Sequence, residues 1–139
     1  MKYSESLKKN KDFQYIYRKG KSYANKYLVM YVLENGTSQN RLGISVSKKV
    51  GNSIVWHRLT RLIRESYRLQ EERFRCGLDI IVIARIGAKG KDYKDIVGAM
   101  LHLGHLHKII DEGYYEEDSA HWYQILSEIS VSDKGRFHL

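Results

Sequence analysis

The chain has 139 residues, a formal net charge of +8 at pH 7, one cysteine and no proline. Its length suits a single compact domain, and it holds no apolar run long enough to cross a membrane. The N-terminal residues are charged and polar where a secretory signal needs an apolar stretch, and the lone Cys76 cannot form an internal disulfide. We therefore expect a cytoplasmic protein with one hydrophobic core.

Positive charge is concentrated in the first 110 residues. Residues 1–110 hold 22 Lys or Arg against 9 Asp or Glu, a balance of +13, whereas residues 111–139 hold 2 against 7, a balance of −5. This asymmetry divides the chain into a basic domain, 1–110, and an acidic C-terminal extension, 111–139, which could form a short helix around Trp122. A basic surface of this kind most often binds nucleic acid, and acidic membrane is the second class of partner.

The first two predicted elements are a helix and a β-rich stretch. Residues 9–20 place Phe13, Ile16 and Tyr17 on one helical face and predict a short helix. The next residues, up to Glu34, are rich in aromatic and β-branched side chains and predict strand structure.

Residues 41–48 predict a strand with two unlike faces. One face is apolar and consists of Leu42, Ile44 and Val46. The other face is small and polar and consists of Gly43, Ser45 and Ser47. Because such a face leaves the backbone open to close approach, it predicts a groove, and Tyr31 of the preceding strand can lie beside it.

A long helix should follow, capped by Asn52 or Ser53 and running to about Phe74. Its predicted buried stripe consists of Val55, Leu59, Leu62, Ser66 and Leu69. Its opposite side carries Arg58, Arg61, Arg64 and Arg68. Residues 78–86 then predict a strand buried on both faces, and residues 92–110 a final helix, so the chain is predicted to be an α/β sandwich with helices packed on a small mixed sheet.

The turn before the long helix is the first candidate binding site. Lys48 and Lys49 end the strand, Gly51 permits a tight turn, and the free backbone amides of a helix N-terminus follow. Such an arrangement attracts phosphate through both the helix dipole and the side chains. The alternative is a solvated helix face on which Glu65 and Glu71 neutralise the arginines.

Aromatic residues provide the second candidate site. Phe13, Tyr17 and Tyr31 could form a platform on which unpaired bases stack, although aromatic stripes of this kind are more often part of a core. We expect these rings, the Gly and Ser strand face and the basic helix to converge on one concave surface.

The stretch RLGISVSKKVGNSIVWHRLTRLIRESYRL, residues 41–69, resembles the signature region of the bacterial ribonuclease P protein component. Upstream, KDFQYIYRKGKSYANKYLVMYVL is similar to the first helix and strands of that family, and downstream GLDIIVIAR is similar to its last strand. The resemblance covers about residues 5–110. It implies an α+β or α/β sandwich with a mixed four-stranded sheet, three helices and a left-handed β-α-β crossover, similar to the second domain of a small-subunit ribosomal protein.

The resemblance implies a protein subunit of the endoribonuclease ribonuclease P, which assists removal of the single-stranded 5′ leader from precursor tRNA. The catalytic RNA carries the chemistry with Mg²⁺, so neither a catalytic residue nor a metal site is expected on this chain. The implied partners are the ribonuclease P RNA and precursor tRNA, with no membrane and no required protein partner.

The resemblance also assigns contact residues. Its leader-cleft aromatics match Phe13, Tyr17 and Tyr31, to which we add Ser45 and Ser47 from the adjoining strand face. Its basic positions match Lys48, Lys49, Arg58, Arg61 and Arg64, to which we add Asn52, Trp56, His57 and Arg68 from the same turn and helix.

The chain departs from the family at the centre of this motif. Where the family typically has Arg-Asn-Arg, a hydrophobe and Lys-Arg, this chain has the sequence WHRLTR from Trp56 to Arg61, so two expected cations are missing. Trp56 can stack on a base or a ribose, and His57 can donate hydrogen bonds. These departures bear on the strength and the salt dependence of the RNA contact.

Two other hypotheses remain open. One is a stand-alone RNA-binding or ribosome-associated module that uses the same basic helix. The other is a metal protein based on His102 and His105, although no Cys or carboxylate at helical spacing completes such a site. Asp79, Asp92 and Asp95 lack the paired-acid arrangement of a metal-dependent nuclease, and capping and solvation explain them.

Overall fold

Three helices pack against the two faces of one mixed sheet in the computed structural model, which describes residues 4–110 and the backbone of residues 130–131. The elements are β1 (Ser4–Ser6), α1 (Asn10–Lys19), β2 (Lys21–Ala24), β3 (Leu28–Glu34), β4 (Asn40–Val46), α2 (Ser53–Gln70), β5 (Leu78–Ala84), α3 (Tyr93–Leu106) and β6 (Ser130–Val131). The helix predicted around Trp122 lies outside the described residues.

The described sheet has six strands in the order β1-β4-β5-β3-β2-β6, so the expected count of four is wrong. The four central strands, β4, β5, β3 and β2, are those predicted from the sequence. The two extra strands are short, and β1 pairs parallel with β4 while β6 pairs antiparallel with β2. Strands β4 and β5 are parallel neighbours joined by α2, and the other neighbours of the central sheet are antiparallel.

Alternate side chains of the central strands enter two separate cores, whereas one hydrophobic core was expected. Leu28, Met30 and Val32 of β3 join the larger core beneath α2 and α3. Val29 and Tyr31 of the same strand join a smaller core beneath α1. Since successive side chains of a strand point to opposite faces, α1 lies on one face of the sheet and α2 and α3 lie on the other.

The buried stripe of α2 is rotated from the predicted one. Leu59, Ile63, Ser66 and Tyr67 are buried, whereas Leu69, which was predicted to be buried, is 53% exposed. Tyr67 on this stripe packs against Phe74, which lies beyond a short 3-10 turn, with ring centroids 5.2 Å apart. The helix itself ends at Gln70, four residues before the predicted end.

Asp79 is a buried ion-pair residue, which corrects its assignment to solvation or capping. Arg41 Nε and Nη2 donate to its two carboxylate oxygens at 2.8 and 2.6 Å, and the Asn35 amide donates to it at 3.0 Å. Arg41 and Asp79 are direct partners in the β4–β5 ladder, so the pair ties the parallel strands together. Asp92 and Asp95 form a capping box at the start of α3, as capping predicted.

His102 is held as a neutral acceptor inside the larger core. Its side chain is fully buried, and the Asn25 amide donates to His102 Nδ1 at 3.1 Å and to the Ala99 carbonyl at 3.0 Å. Burial, with a smaller effect of His105, lowers the pKa of His102 from 6.5 to about 4. Protonation of Nδ1 would remove the acceptor that Asn25 uses.

We therefore expect the free energy of unfolding to fall by about 2 kcal/mol between pH 7 and pH 5 because of His102 alone. The folded pKa lies below the unfolded value, so the unfolded chain binds the extra proton, and stability present above pH 6.5 is lost as the pH falls toward 4. Urea unfolding of the wild type and of His102→Gln at both pH values measures the difference. A His102→Gln variant that loses as much stability as the wild type between the two pH values would contradict the assignment.

Candidate nucleic-acid interface

The aromatic face of α1 packs on the small-residue face of β4, and the half-buried edge of this contact is the candidate cleft. Gly43 lies directly under the Phe13 ring, since a Cβ atom at this glycine would be 2.6 Å from Phe13 Cζ and 3.1 Å from a methyl group of Leu7. The absence of a side chain at position 43 therefore lets α1 approach the sheet. Ser45, two residues along, faces the same side and is half-buried.

The three predicted aromatics do come together, but they differ in exposure. The ring centroids of Phe13 and Tyr17 are 6.2 Å apart, and those of Tyr17 and Tyr31 are 5.0 Å apart in an edge-to-face arrangement. Phe13 and Tyr17 are half-buried, whereas Tyr31 is only 1% exposed. Tyr31 therefore supports the Tyr17 ring from below, and it does not present a stacking face of its own.

The Tyr17 hydroxyl is enclosed beside Ser45. Burial raises the pKa of Tyr17, and the nearby Ser45 side chain partly opposes this rise. The two hydroxyl groups do not meet the geometry of an ordinary hydrogen bond, so the Tyr17 oxygen has no partner among the described residues. A buried hydroxyl without a partner is costly, and a ligand that enters the cleft could satisfy it.

The turn after β4 presents both predicted lysines to solvent. Ser47 Oγ accepts from the backbone N–H of Lys49 at 3.3 Å, and Lys48 and Lys49 are exposed. Asn52 caps α2 as predicted, because its side-chain oxygen accepts from the Val55 N–H at 3.1 Å. Ser47, at the end of the strand, thus helps shape the turn.

A groove of about 640 Å³ opens beside this turn. Its lining residues are Val46, Lys48, Gly51, Asn52, Ser53 and Trp56. Trp56 is 42% exposed, and the neighbouring His57 ring meets it edge-to-face with centroids 4.7 Å apart.

The arginines of α2 are all exposed but are not equivalent. Arg58 Nη2 donates to the Lys91 carbonyl at 2.7 Å, and Arg68 forms an ion pair with Glu65. The Arg68 hydrogen bonds also lower the pKa of Glu65. Arg61 and Arg64 make no hydrogen bond or ion pair with any described residue. The alternative of a neutralised face therefore holds for Arg68 but not for these two.

Further basic residues next to this face were missed from the sequence. Lys91 Nζ lies 5.4 Å from the centroid of the Tyr27 ring. The backbone carbonyl of the same residue accepts the hydrogen bond from Arg58. Lys89 and Lys91 follow β5 after a short 3-10 helix, Ile86–Ala88, and parallel neighbours end at the same edge of a sheet. The sequence GAKGK carries a signal for this placement, because residues that follow a strand parallel to β4 begin at the same edge of the sheet as the β4 turn.

The cleft and the basic helix lie on opposite faces of the sheet, which corrects the expectation of one concave surface. They are connected around the outer edge of β4, where β1 pairs only as far as Leu42 and no described strand covers residues 43–46. The lysine turn follows at the end of this open edge. An extended chain could therefore pass from the cleft over the edge to the first turns of α2.

The other candidate sites do not assemble. His102 is buried against Asn25, and residues 4–110 hold no group of three or more His, Cys, Asp or Glu side chains that could bind a metal ion. In the part of the chain that the structure describes, none of the helices combines the length and the apolar character needed to span a bilayer.

Comparisons with known proteins agree with this architecture. A family model described as Ribonuclease P matches residues 1–108. The ribonuclease P protein component of Lachnoclostridium phytofermentans is 63% identical over 107 residues, which are 77% of this chain and 92% of that protein. That of Alkaliphilus metalliredigens is 48% identical over 110 residues, covering 79% and 99% of the two chains.

A solved structure of the Staphylococcus aureus RNase P protein superimposes with a TM-score of 0.72 at 39% identity. The match covers 78% of this chain and 99% of that one. The three helices and the mixed sheet are thus the fold of a family whose members are the protein subunits of the endoribonuclease ribonuclease P. The chain belongs to the bacterial ribonuclease P protein family.

Proposed function

We propose that this chain holds RNA on two surfaces that meet at the C-terminal end of β4. The basic surface, formed by the lysine turn and the exposed side of α2, binds the ribonuclease P RNA. The cleft between α1 and β4 binds the single-stranded 5′ leader of precursor tRNA. The protein thereby positions the substrate on an RNA whose own groups, with Mg²⁺, cleave the leader, and no side chain of the chain is assigned to catalysis.

The observation that carries this proposal is the pair of exposed arginines on α2, Arg61 and Arg64, which no described acidic group neutralises. A guanidinium group without a protein partner keeps its full capacity for forked hydrogen bonds to phosphate oxygens. Lys48 and Lys49 extend the same charge to the open edge of β4. A single-stranded RNA segment that passes from the cleft over this edge would contact these two lysines directly.

The leader cleft is supported by its lining. Phe13 and Tyr17 offer half-exposed rings, and Ser45 offers a hydroxyl beside the enclosed oxygen of Tyr17. Aromatic faces bind bases of any sequence, which suits leaders that differ among tRNA genes. In this proposal Tyr31 supports the Tyr17 ring, and Ser47 stabilises the conformation of the turn.

The proposal also includes the finer features that the family resemblance implied. The β4-α2-β5 crossover is left-handed, the protein acts in the cytoplasm, and neither a membrane nor another protein is required. Residues 1–110 are the RNA-binding domain, and residues 111–139 are an acidic extension.

Reconstitution tests the function directly. We expect the chain, added to its cognate ribonuclease P RNA at low Mg²⁺, to promote accurate removal of the 5′ leader from precursor tRNA. Gel analysis of end-labelled substrate measures the cleavage site and the rate. The chain alone with Mg²⁺ should leave the substrate intact. RNA binding without any effect on cleavage would favour a stand-alone RNA-binding module, and cleavage by the protein alone would contradict the assignment of the chemistry to RNA.

A further inference from the structure

The groove beside the lysine turn is lined unlike the rest of the basic surface. Trp56 is one of few large apolar side chains of the described residues that are more than one-third exposed. It forms a wall of the groove together with Val46, while Lys48 supplies a cation at the same site. None of the described lining residues is acidic. The groove thus combines an aromatic ring, an apolar side chain and a positive charge.

We propose that this groove binds one unpaired nucleotide of the ribonuclease P RNA, with its base stacked on Trp56 and its phosphate paired with Lys48. The inference rests on the proposed function and adds a nucleotide subsite to the RNA contact. It makes Trp56 a base-recognition residue rather than a replacement for a lost phosphate contact.

The size and chemistry of the groove favour this occupant. About 640 Å³ lies within the range of small-ligand sites and is large enough for a nucleoside and its phosphate. A base inside a helix has both faces covered by its neighbours, which favours an unpaired nucleotide as the occupant. An apolar protein segment would gain from the tryptophan but not from Lys48, Lys49 and the arginines of α2.

The ring is already positioned for stacking. His57 meets Trp56 edge-to-face at an interplanar angle of 82°, and Trp56 lies within α2, whose N-terminus is fixed by the Asn52 cap. A preordered aromatic side chain loses little conformational entropy when a base stacks on it. The indole N–H also remains available to a ribose or phosphate oxygen.

Tryptophan fluorescence and salt-dependent binding test the inference. The chain has two tryptophans, so Trp122→Phe leaves Trp56 as the only tryptophan, whose emission can be excited selectively over that of the tyrosines. We expect its emission to be quenched when the full-length variant binds ribonuclease P RNA. Trp56→Ala should weaken that binding about 5- to 150-fold, as loss of one stacked base does, with an unchanged dependence on salt concentration.

Three further variants separate stacking from charge. Trp56→Phe should retain most of the affinity, because it keeps a ring. Trp56→Arg should steepen the slope of log affinity against log salt concentration by about 0.7 to 0.9, which is the contribution of one added phosphate contact. Leu69→Ala, at another exposed apolar residue near the far end of α2, should bind like the wild type. Thermal unfolding of each variant checks that the fold is retained.

Two results would overturn the inference in distinguishable ways. Wild-type affinity of Trp56→Ala, with RNA binding still sensitive to Arg61, would remove the nucleotide from the groove and leave the proposed function intact. No measurable binding of the wild-type chain to the RNA would reject the subsite and the proposed function together.

Discussion

Replacing Arg61 and Arg64 together by glutamine should weaken binding of the ribonuclease P RNA on the order of a hundredfold. Each guanidinium is exposed and has no described protein partner, so each loses a charge-assisted contact worth on the order of tenfold in affinity. Glutamine keeps the helix propensity and the approximate length of the side chain, so α2 should remain folded.

The dependence of affinity on salt identifies the lost contacts as phosphates. Each neutralised phosphate contributes about 0.7 to 0.9 to the slope of log affinity against log salt concentration, so the double variant should have a slope shallower by about 1.4 to 1.8. Binding at four or more monovalent salt concentrations, at fixed Mg²⁺, measures it.

Arg68→Gln is the matched control on the same helix. Arg68 already donates to Glu65, with Nε 3.1 Å from one carboxylate oxygen, so its charge is largely compensated and the slope should change little. A control that changes the slope as much as the double variant does would show that exposure alone, rather than freedom from a protein partner, decides which arginines bind RNA.

Much of the fold follows from patterns within single elements. The helices α1, α2 and α3 were predicted because apolar side chains recur at helical spacing, and β4 because apolar and small residues alternate. Strands β1 and β6 were missed because they have three and two residues and carry no alternation long enough to detect. Such strands are held by backbone pairing with a neighbouring strand, and the local sequence contains no pattern that indicates this pairing.

The errors at the candidate site have a different origin. Both faces of β3 are covered by helices, so alternation could not distinguish a Tyr31 ring in a cleft from one in a core. The local pattern predicts a solvated or capping role for Asp79 at the head of a strand, whereas the parallel register places it opposite Arg41. Both outcomes depend on contacts between elements distant in the chain, whereas the lysine turn and the Asn52 cap are local and were predicted correctly.

The burial of Tyr31 also changes how the cleft should be tested. Tyr31→Ala would leave a cavity in the smaller core and cost about 3 to 5 kcal/mol of stability, so a loss of leader binding would have two explanations. A substitution that adds a small group beside the cleft, instead of removing a buried ring, leaves no such cavity.

Gly43→Ala should weaken binding of leader-containing precursor tRNA about tenfold and leave binding of mature tRNA unchanged. The added methyl group would lie 2.6 Å from the tip of the Phe13 ring, so this ring must shift from its position beside the cleft that we assign to the leader. Loss of one stacked base costs about 1 to 3 kcal/mol, which sets the expected size of the effect. Affinities of the reconstituted enzyme for the two RNAs measure it.

A double-mutant cycle with Phe13→Ala tests the mechanism. Phe13→Ala should itself weaken leader binding, and in that background Gly43→Ala should have almost no further effect, because the ring that it displaces is absent. Additive effects would mean that Gly43→Ala acts through Leu7 or the backbone of β4 instead. Equal losses for precursor and mature tRNA would remove the leader from this cleft, since only the precursor carries the segment that the cleft is proposed to hold.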